Sequence, residues 1–457
     1  MKNIAAVVLA AGKGTRMKSG IVKVLHSAAG RPMIAWPVDA ARMVGAAPIV
    51  LVVGHQANAV SNTFRGAGDI LCAMQEEQLG TGHAVACTRD ALHGFRGTVL
   101  ILCGDTPLLR GETLQELVDF HREQDAVLTV LTARMDEPHG YGRVVRDESG
   151  RVLAIVEQKD ATPEQQAITE INSGIYCMES NFLFANVSSL SSNNAQNEFY
   201  LTDLLSIAVS KGLTCVARCI DDADEIMGVN DRGQLAEASR ILRRRINHEL
   251  MRSGVSLIDP EHTYIDYGVT VGHDTLIHPN CTIGGDTVIG SNCTIENSVT
   301  IDGCRIGNDC HIKAGSVLEG SELQADVSVG PMAHLRTGTV LQDHVKIGNF
   351  VETKKAVMGK GSKASHLTYL GDAEIGSDVN IGCGTITCNY DGVRKHRTII
   401  GDGVFIGSDV QLVAPVTVGR NSLVAAGTTV TADVPPDSLA IARVPQVNKE
   451  GWRLKHK

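Results

Sequence analysis

The chain has 457 residues, 43% of them hydrophobic and 20% charged, with a net charge of −9. That length exceeds one ordinary core and points to two domains, and the negative balance argues against nucleic acid as the main partner. Aromatic residues make up only 4% while glycine reaches 47 residues, a bias toward tight turns and small side chains rather than a large aromatic core.

The opening Met1-Lys2-Asn3-Ile4 runs directly into a buried-strand pattern with no signal-peptide cleavage site. No apolar run approaches the ~20 residues that span a membrane, so a cytoplasmic protein with no membrane partner is expected. Apolar runs of strand length follow at Ile4–Ala10, Pro48–Val53, Thr98–Leu102 and Ala126–Thr132, with amphipathic stretches between them. This alternation predicts an α/β domain with a largely parallel sheet.

Two features of this half carry chemistry. After the first strand comes Leu9-Ala10-Ala11-Gly12-Lys13-Gly14-Thr15-Arg16-Met17, with Lys23 beyond. Its glycines let backbone N–H groups approach an anion, and Arg16 and Lys23 can neutralise phosphate charge. It is not a Walker A loop, lacking Gly-Lys-Ser/Thr at the required spacing, nor a dinucleotide fingerprint, since Met17 stands where the third Gly should be. The second feature is Leu102-Cys103-Gly104-Asp105, which sets an acid at the C-terminal end of an apolar strand. Asp105 either caps the following turn or supplies an oxygen to a phosphate-bridging cation.

From Asn230 to Gly254, Leu235, Ile241, Leu242, Ile246 and Leu250 form one helical stripe, opposite an arginine-rich face that reads as solvated. Beyond this connecting helix the period changes to six. Val271, Ile277, Ile283, Ile289, Ile295 and Ile301 recur without a gap. The series resumes at Ile306, Ile312 and Leu318, at Leu323 through Ile347, and at Ile400 through Val430. Such a rhythm fits a solenoid in which each short strand turns one aliphatic inward. None of the twelve cysteines forms a Cys-x-x-Cys pair. Cys281, Cys293, Cys304 and Cys310 each fall two positions before an inward aliphatic, where a small buried thiol suits the repeat.

The six-residue phase fails between Ile347 and Ile375 and again between Ile381 and Ile400, and we read both intervals as insertions. They hold His366, Tyr369, Asn389 and Tyr390, with Asn380 beside the second, polar groups that a stacked solenoid does not need. An imidazole there suits a general base.

The Gly-x-Gly-Thr-Arg loop with its trailing Lys, the segment Gln75-Glu76-Glu77-Gln78-Leu79-Gly80-Thr81 and the Gly104-Asp105 pair resemble sugar-1-phosphate nucleotidyltransferases. Followed by a hexapeptide solenoid bearing His366-Leu367-Thr368-Tyr369, nearly the whole chain resembles the bifunctional N-acetylglucosamine-1-phosphate uridylyltransferase/glucosamine-1-phosphate acetyltransferase family. The resemblance implies a Rossmann-like nucleotidyltransferase domain (1–229), a helical linker (230–253) and a left-handed parallel β-helix acetyltransferase domain (254–457) that assembles as a homotrimer. It implies that Leu9, Ala10, Ala11, Gly12, Gly14, Arg16, Lys23, Gln75, Gly80, Thr81, Cys103 and Gly104 hold UTP. Gly142, Glu157 and Asn172 would hold the sugar, and Asp105 and Asn230 would bind Mg²⁺. In the second half it implies His366 as base, with Arg336 and Lys354 on the sugar phosphate and Tyr369 and Asn380 lining the sugar. Cys383, Asn389, Tyr390, Ser408, Ala426 and Arg443 would hold acetyl-CoA in clefts between neighbouring chains.

The sequence departs from the family pattern at Val22, where Pro is expected, at Cys103, where Tyr is frequent, and at Cys383, where Ala is usual. Glu352 is expected to orient or charge-stabilise His366. Two other readings compete: an active first half on a passive oligomerisation scaffold, and a non-catalytic nucleotide-sugar sensor. The basic tail from Lys449 either closes over a neighbour or carries no fixed structure.

Overall fold

The strands that the apolar runs predict form the middle of one sheet: Asn3–Leu9, Ile49–Val53, Gly97–Cys103 and Leu128–Arg134. The computed structural model describes residues 3–12, 14–54 and 56–456. Met1, Lys2 and Lys457, at the ends of segments considered above, lie outside them, as do Lys13 and His55. The chain divides into two compact units, Met1–Leu242 and Arg243–Lys457.

In the first unit the sheet runs Cys215–Ile220, Leu128–Arg134, Glu170–Glu179, Gly97–Cys103, Asn3–Leu9, Ile49–Val53, Ile70–Met74. All neighbours are parallel except Glu170–Glu179, which is antiparallel to both strands beside it. The strand Ile49–Val53 is buried along its whole length, which explains its unbroken aliphatic run. From Asn3–Leu9 the chain winds outward through Ile49–Val53 and Ile70–Met74, then returns to add Gly97–Cys103 on the other side. The reversal opens a crevice at the carboxyl ends of Asn3–Leu9 and Gly97–Cys103, where open α/β sheets bind ligands. Leu9 pairs there with Cys103.

The connecting helix is Arg232–Arg252, so Asn230 precedes it rather than beginning it. Asp231 Oδ1 accepts from the Gln234 N–H at 2.9 Å, capping the first turn. Toward the other end Asn247 is buried and donates its Nδ2 to the carbonyls of Pro260 (2.8 Å) and Thr263 (2.9 Å).

The second unit is a parallel β-helix with one 11-stranded sheet and a 17-stranded sheet whose strands alternate between two faces. Three inward ladders form its core. One runs Ile277, Ile295, Ile312, Val329, Ile347, Ala364, Ile381, Ile406 and Val424, paired coil to coil. All nine are essentially inaccessible to solvent, and burying each aliphatic contributes about 1.5–3 kcal/mol relative to exposure. Cys281, Cys293, Cys304 and Cys310 are buried, and each Sγ donates to a backbone carbonyl. All twelve cysteines are free thiols.

The interval between Ile347 and Ile375 is not an insertion. Thr353, Met358, Ala364 and Leu370 continue the inward series, all buried and in register with neighbouring coils. The rhythm is lost in the sequence because Thr and Ala are not large aliphatics, and because two steps (353 to 358 and 370 to 375) drop one residue. His366 therefore lies on a regular coil. The second interval does hold an extra loop, between the strands Ile386–Cys388 and Thr398–Ile400, closed by an antiparallel bridge from Tyr390 to Lys395.

Candidate active sites

In the first unit the loop after Leu9 folds back on itself through Gly14, whose φ of +59° is left-handed. A Cβ there would stand 2.5 Å from Lys23 Cβ, so glycine lets the loop and Lys23 lie side by side. Lys23 Nζ donates to Asp105 Oδ2 and, at 3.2 Å, to Asn230 Oδ1. The Arg16 guanidinium donates to the same Asn230 oxygen at 2.7 Å. Asn230 is held in turn, its N–H donating to Gln234 Oε1 (2.7 Å) while the Val229 N–H donates to the Asp105 carbonyl (2.8 Å). Four polar side chains from three distant segments thus meet at the crevice.

Two cavities open beside this cluster. One, of about 280 Å³, is lined by Leu9, Ala10, Ala11, Gly12, Lys23, Gln75, Gly80, Thr81, Cys103 and Asp105 among others. The second, of about 220 Å³, shares Leu9, Thr81 and Cys103 with it and adds Gly142, Glu157, Asn172 and Thr202. Gly104 is in neither lining; its would-be Cβ lies 2.9 Å from the Leu9 carbonyl, so glycine lets the two strand ends approach. Cys103 is half-buried, and desolvation, with the Asp105 charge adding to it, pushes its thiol up to about 12, so it serves as an inert wall.

A register shift in Glu170–Glu179, between Asn172 and Tyr176, re-aims Asn172 into the second cavity. Asn172 Oδ1 accepts from the Gly174 N–H (3.1 Å) and the Tyr176 hydroxyl (3.0 Å). A Cβ on Gly142 would press on Ile155 Cγ2 at 3.2 Å while meeting Asn172 Cβ and Glu157 Oε1 in ordinary contact at 3.5 Å. Burial, then the charges of Asp160 and Asp203, raise the Glu157 carboxyl above its ordinary value.

In the second unit the coil stacking decides the geometry. Arg336 and Lys354 are register partners on successive strands. Lys395, from the inserted loop, approaches Lys354 closely enough to depress the Lys354 ammonium, with Arg336 adding to the effect. The sequence reading did not single out Lys395, because nothing near it in the chain marks it as a partner of Lys354. Glu352 pairs with Arg336 at 2.8 Å and not with His366. The expected link from Glu352 to the imidazole is therefore replaced by another: His366 Nδ1 lies 2.9 Å from Asn349 Oδ1, its register partner one coil earlier.

Continuing the pairing of Lys363 with Asn380 and Ala364 with Ile381 sets Cys383 over His366, with Ser408 and Ala426 following on the next coils. One corner column thus reads Asn349, His366, Cys383, Ser408, Ala426, an imidazole under a run of small residues. Arg443 reaches the top of it, donating to the Ala426 carbonyl at 2.6 Å. On the adjoining face Gly371 leaves space for the Tyr369 hydroxyl and for Asn389. Asn389 is buried and donates to Asp372 Oδ2 at 2.6 Å, whereas Tyr390 is 60% exposed. Asn380 sits beside Lys363 on the strand after His366.

Three family models match the chain: nucleotidyl transferase over residues 5–233, GMPPB C-terminal domain over 261–363 and bacterial transferase hexapeptide (six repeats) over 397–432. The last agrees with the left-handed parallel β-helix expected for this half. The chain is 74% identical over 457 residues to the bifunctional protein GlmU of Pelobacter propionicus, covering 100% of this chain and 99% of that one. It is 66% identical over 451 residues to that of Trichlorobacter lovleyi (99% and 98% covered) and 48% identical over 456 residues to that of Halalkalibacterium halodurans (100% and 99%).

Proposed function

The chain belongs to the family of bifunctional GlmU proteins, and on that premise we propose that the two clusters described above are its two active sites. The protein is a bifunctional transferase. Its C-terminal half transfers acetyl from acetyl-CoA to glucosamine-1-phosphate, and its N-terminal half transfers uridylyl from UTP to N-acetylglucosamine-1-phosphate with release of pyrophosphate. The observation that carries the two-site reading is the His366 corner column beside Arg336, Lys354 and Lys395, for which a passive scaffold has no use.

In the uridylyl site a phosphate oxygen of the sugar phosphate attacks the α-phosphorus of UTP and pyrophosphate leaves. Positioning and charge neutralisation carry such a transfer. Arg16 and Lys23 serve as phosphate ligands, and the Leu9–Gly14 loop offers backbone N–H groups. Gln75, Gly80 and Thr81 hold the base, while Gly142, Glu157 and Asn172 hold the sugar.

The family requires a divalent metal, and we assign Mg²⁺ to Asp105 and Asn230. Their oxygens already converge on a cation, the Lys23 ammonium, and hard oxygen donors suit Mg²⁺. Among the described residues no cluster of three or more His, Cys, Asp and Glu could hold a metal. Phosphate oxygens and water would therefore complete the shell, as is usual for this ion. When bound, the cation neutralises phosphate charge.

In the acetyl site the glucosamine amine attacks the thioester carbonyl, the C–S bond breaks, and His366 Nε2 takes the amine proton. An amide oxygen can only accept, so Asn349 Oδ1 keeps the proton on Nδ1 and leaves the Nε2 lone pair for this task. Arg336, Lys354 and Lys395 form the phosphate clamp, Tyr369 and Asn380 line the sugar, and Asn389, Tyr390, Ser408, Ala426 and Arg443 receive acetyl-CoA. Cys383 is packing in this scheme, since acetyl passes directly to the amine.

We extend the proposal to a homotrimer. Met332, Phe350 and Leu367 occupy left-handed corners on three successive coils, and each is more than half exposed. Bulky apolar residues in that conformation are uncommon, and an apolar column of this kind suits burial against a neighbouring chain. No helix among the described residues is long and apolar enough to cross a membrane. A cytoplasmic location would place the protein among its UTP and acetyl-CoA substrates.

The test supplies glucosamine-1-phosphate, acetyl-CoA, UTP and Mg²⁺ and follows CoA and pyrophosphate together. CoA should appear first. His366→Ala should abolish CoA release while sparing uridylyl transfer to added N-acetylglucosamine-1-phosphate, and Asp105→Ala should do the reverse. Loss of both activities in either folded variant would refute separate sites.

A further inference from the structure

The base end of the nucleotide cavity contains a side chain whose orientation is held by another. Gln75 is 3% exposed, and its Nε2 lies 3.2 Å from the Gly80 carbonyl and 3.2 Å from His83 Nδ1. A carbonyl only accepts, so the carboxamide nitrogen belongs on this side. Its second hydrogen then points at His83, whose Nδ1 must offer a lone pair, which assigns the ring proton to Nε2. That nitrogen lies 3.8 Å from Cys87 Sγ, and the ring packs at a tilt against Phe199 with centroids 6.5 Å apart. Both carboxamide hydrogens are thereby used inside the protein. The oxygen has no hydrogen-bond partner among the described residues, and Gln75 lines the cavity.

We propose that His83 is a positioning residue that sets the base selectivity of the nucleotide site by holding the Gln75 carboxamide oxygen outward. The proposal rests on the reading above that Gln75 faces the base of UTP. An outward oxygen accepts the N3–H of uracil. Cytosine presents a lone pair at N3, and two acceptors facing each other leave a buried group unpaired, which is how such a site rejects the wrong partner. If the carboxamide turned over, it would present N–H groups and favour the opposite base. Gly80 resists that turn through its carbonyl, and His83 supplies the second restraint.

The experiment measures kcat/KM for UTP and for CTP with N-acetylglucosamine-1-phosphate and Mg²⁺, using the full chain. His83→Leu, which removes the acceptor, should lower the UTP:CTP ratio about tenfold, the worth of one such hydrogen bond. His83→Asn, whose Oδ1 can accept from Gln75 Nε2, should keep the ratio within about threefold of the parent. The ratio does not depend on the fraction of active protein, so partial unfolding cannot imitate the effect, and CoA release from the same preparation reports on its integrity. If turnover is lost, titration with the two nucleotides supplies the same ratio.

Gln75→Leu separates the two layers. An unchanged ratio in that variant means that Gln75 does not read the base, and the underlying reading falls with the proposal. If Gln75→Leu lowers the ratio but His83→Leu does not, the role of His83 alone is refuted. A ratio in His83→Asn that falls as far as in His83→Leu refutes it too, because a merely structural role is not rescued by an acceptor.

Discussion

Replacing Gly14 by alanine tests whether the phosphate loop is held by shape. The residue sits at φ +59°, where an L-side chain costs roughly 1–2 kcal/mol. The larger effect is steric. The new Cβ would lie 2.5 Å from Lys23 Cβ, and ordinary contact begins at 3.4 Å, so loop or lysine must shift by about 1 Å. The moving part carries the ammonium that bridges Asp105 and Asn230. A misplacement of that size costs about 10²-fold in a reaction that depends on orientation. Pyrophosphate release should therefore fall about a hundredfold in kcat/KM, while CoA release by the other unit stays within twofold. Gly20→Ala is the matched control: that Cβ would meet nothing within 4 Å, and Gly20 is not left-handed. Uridylyl transfer by Gly14→Ala within threefold of the parent would refute the steric reasoning, as would an equal loss in Gly20→Ala.

Other expectations follow from the same geometry. Asn349→Ala should lower acetyl-transfer kcat about tenfold with KM for glucosamine-1-phosphate within twofold, because it frees the imidazole without touching the phosphate clamp; a rise in KM alone would contradict it. Glu352→Gln should do the opposite, changing KM for the sugar phosphate through Arg336 while kcat holds. Chelation of divalent metal should stop pyrophosphate release and leave CoA release intact, measured in one mixture. Glu157→Gln should raise the Tm of the first unit at pH 7. The folded carboxyl titrates above its unfolded value of about 4.3, so the native state binds the extra proton and stability falls as pH rises through the gap. Below about pH 4 both states are protonated and the advantage should vanish; a Tm difference independent of pH would show that burial of charge is not its cause.

The sequence by itself determined the two-part architecture, because both signals are local. Strand-length aliphatic runs bury themselves in a central sheet whatever their partners, and a beat of six requires a stacked coil wherever it occurs. The glycine loop, Lys23 and Asp105 were also legible, since each stands at a strand end or turn that its neighbours in the chain define, whereas His366 was singled out by a break in the rhythm that the stacked coils do not contain. Tertiary structure alone decided which of them meet. Asn230 Oδ1 accepts from Lys23 Nζ across 207 positions, a contact set by the order of strands in the sheet. His366 meets Asn349 rather than Glu352 because one coil here is 17 residues long. That coil length depends on one five-residue step, from Thr353 to Met358, hidden in the sequence by Thr353 and Ala364 at inward positions. Stacking converts such a one-residue change into a different neighbour, and no local pattern records it.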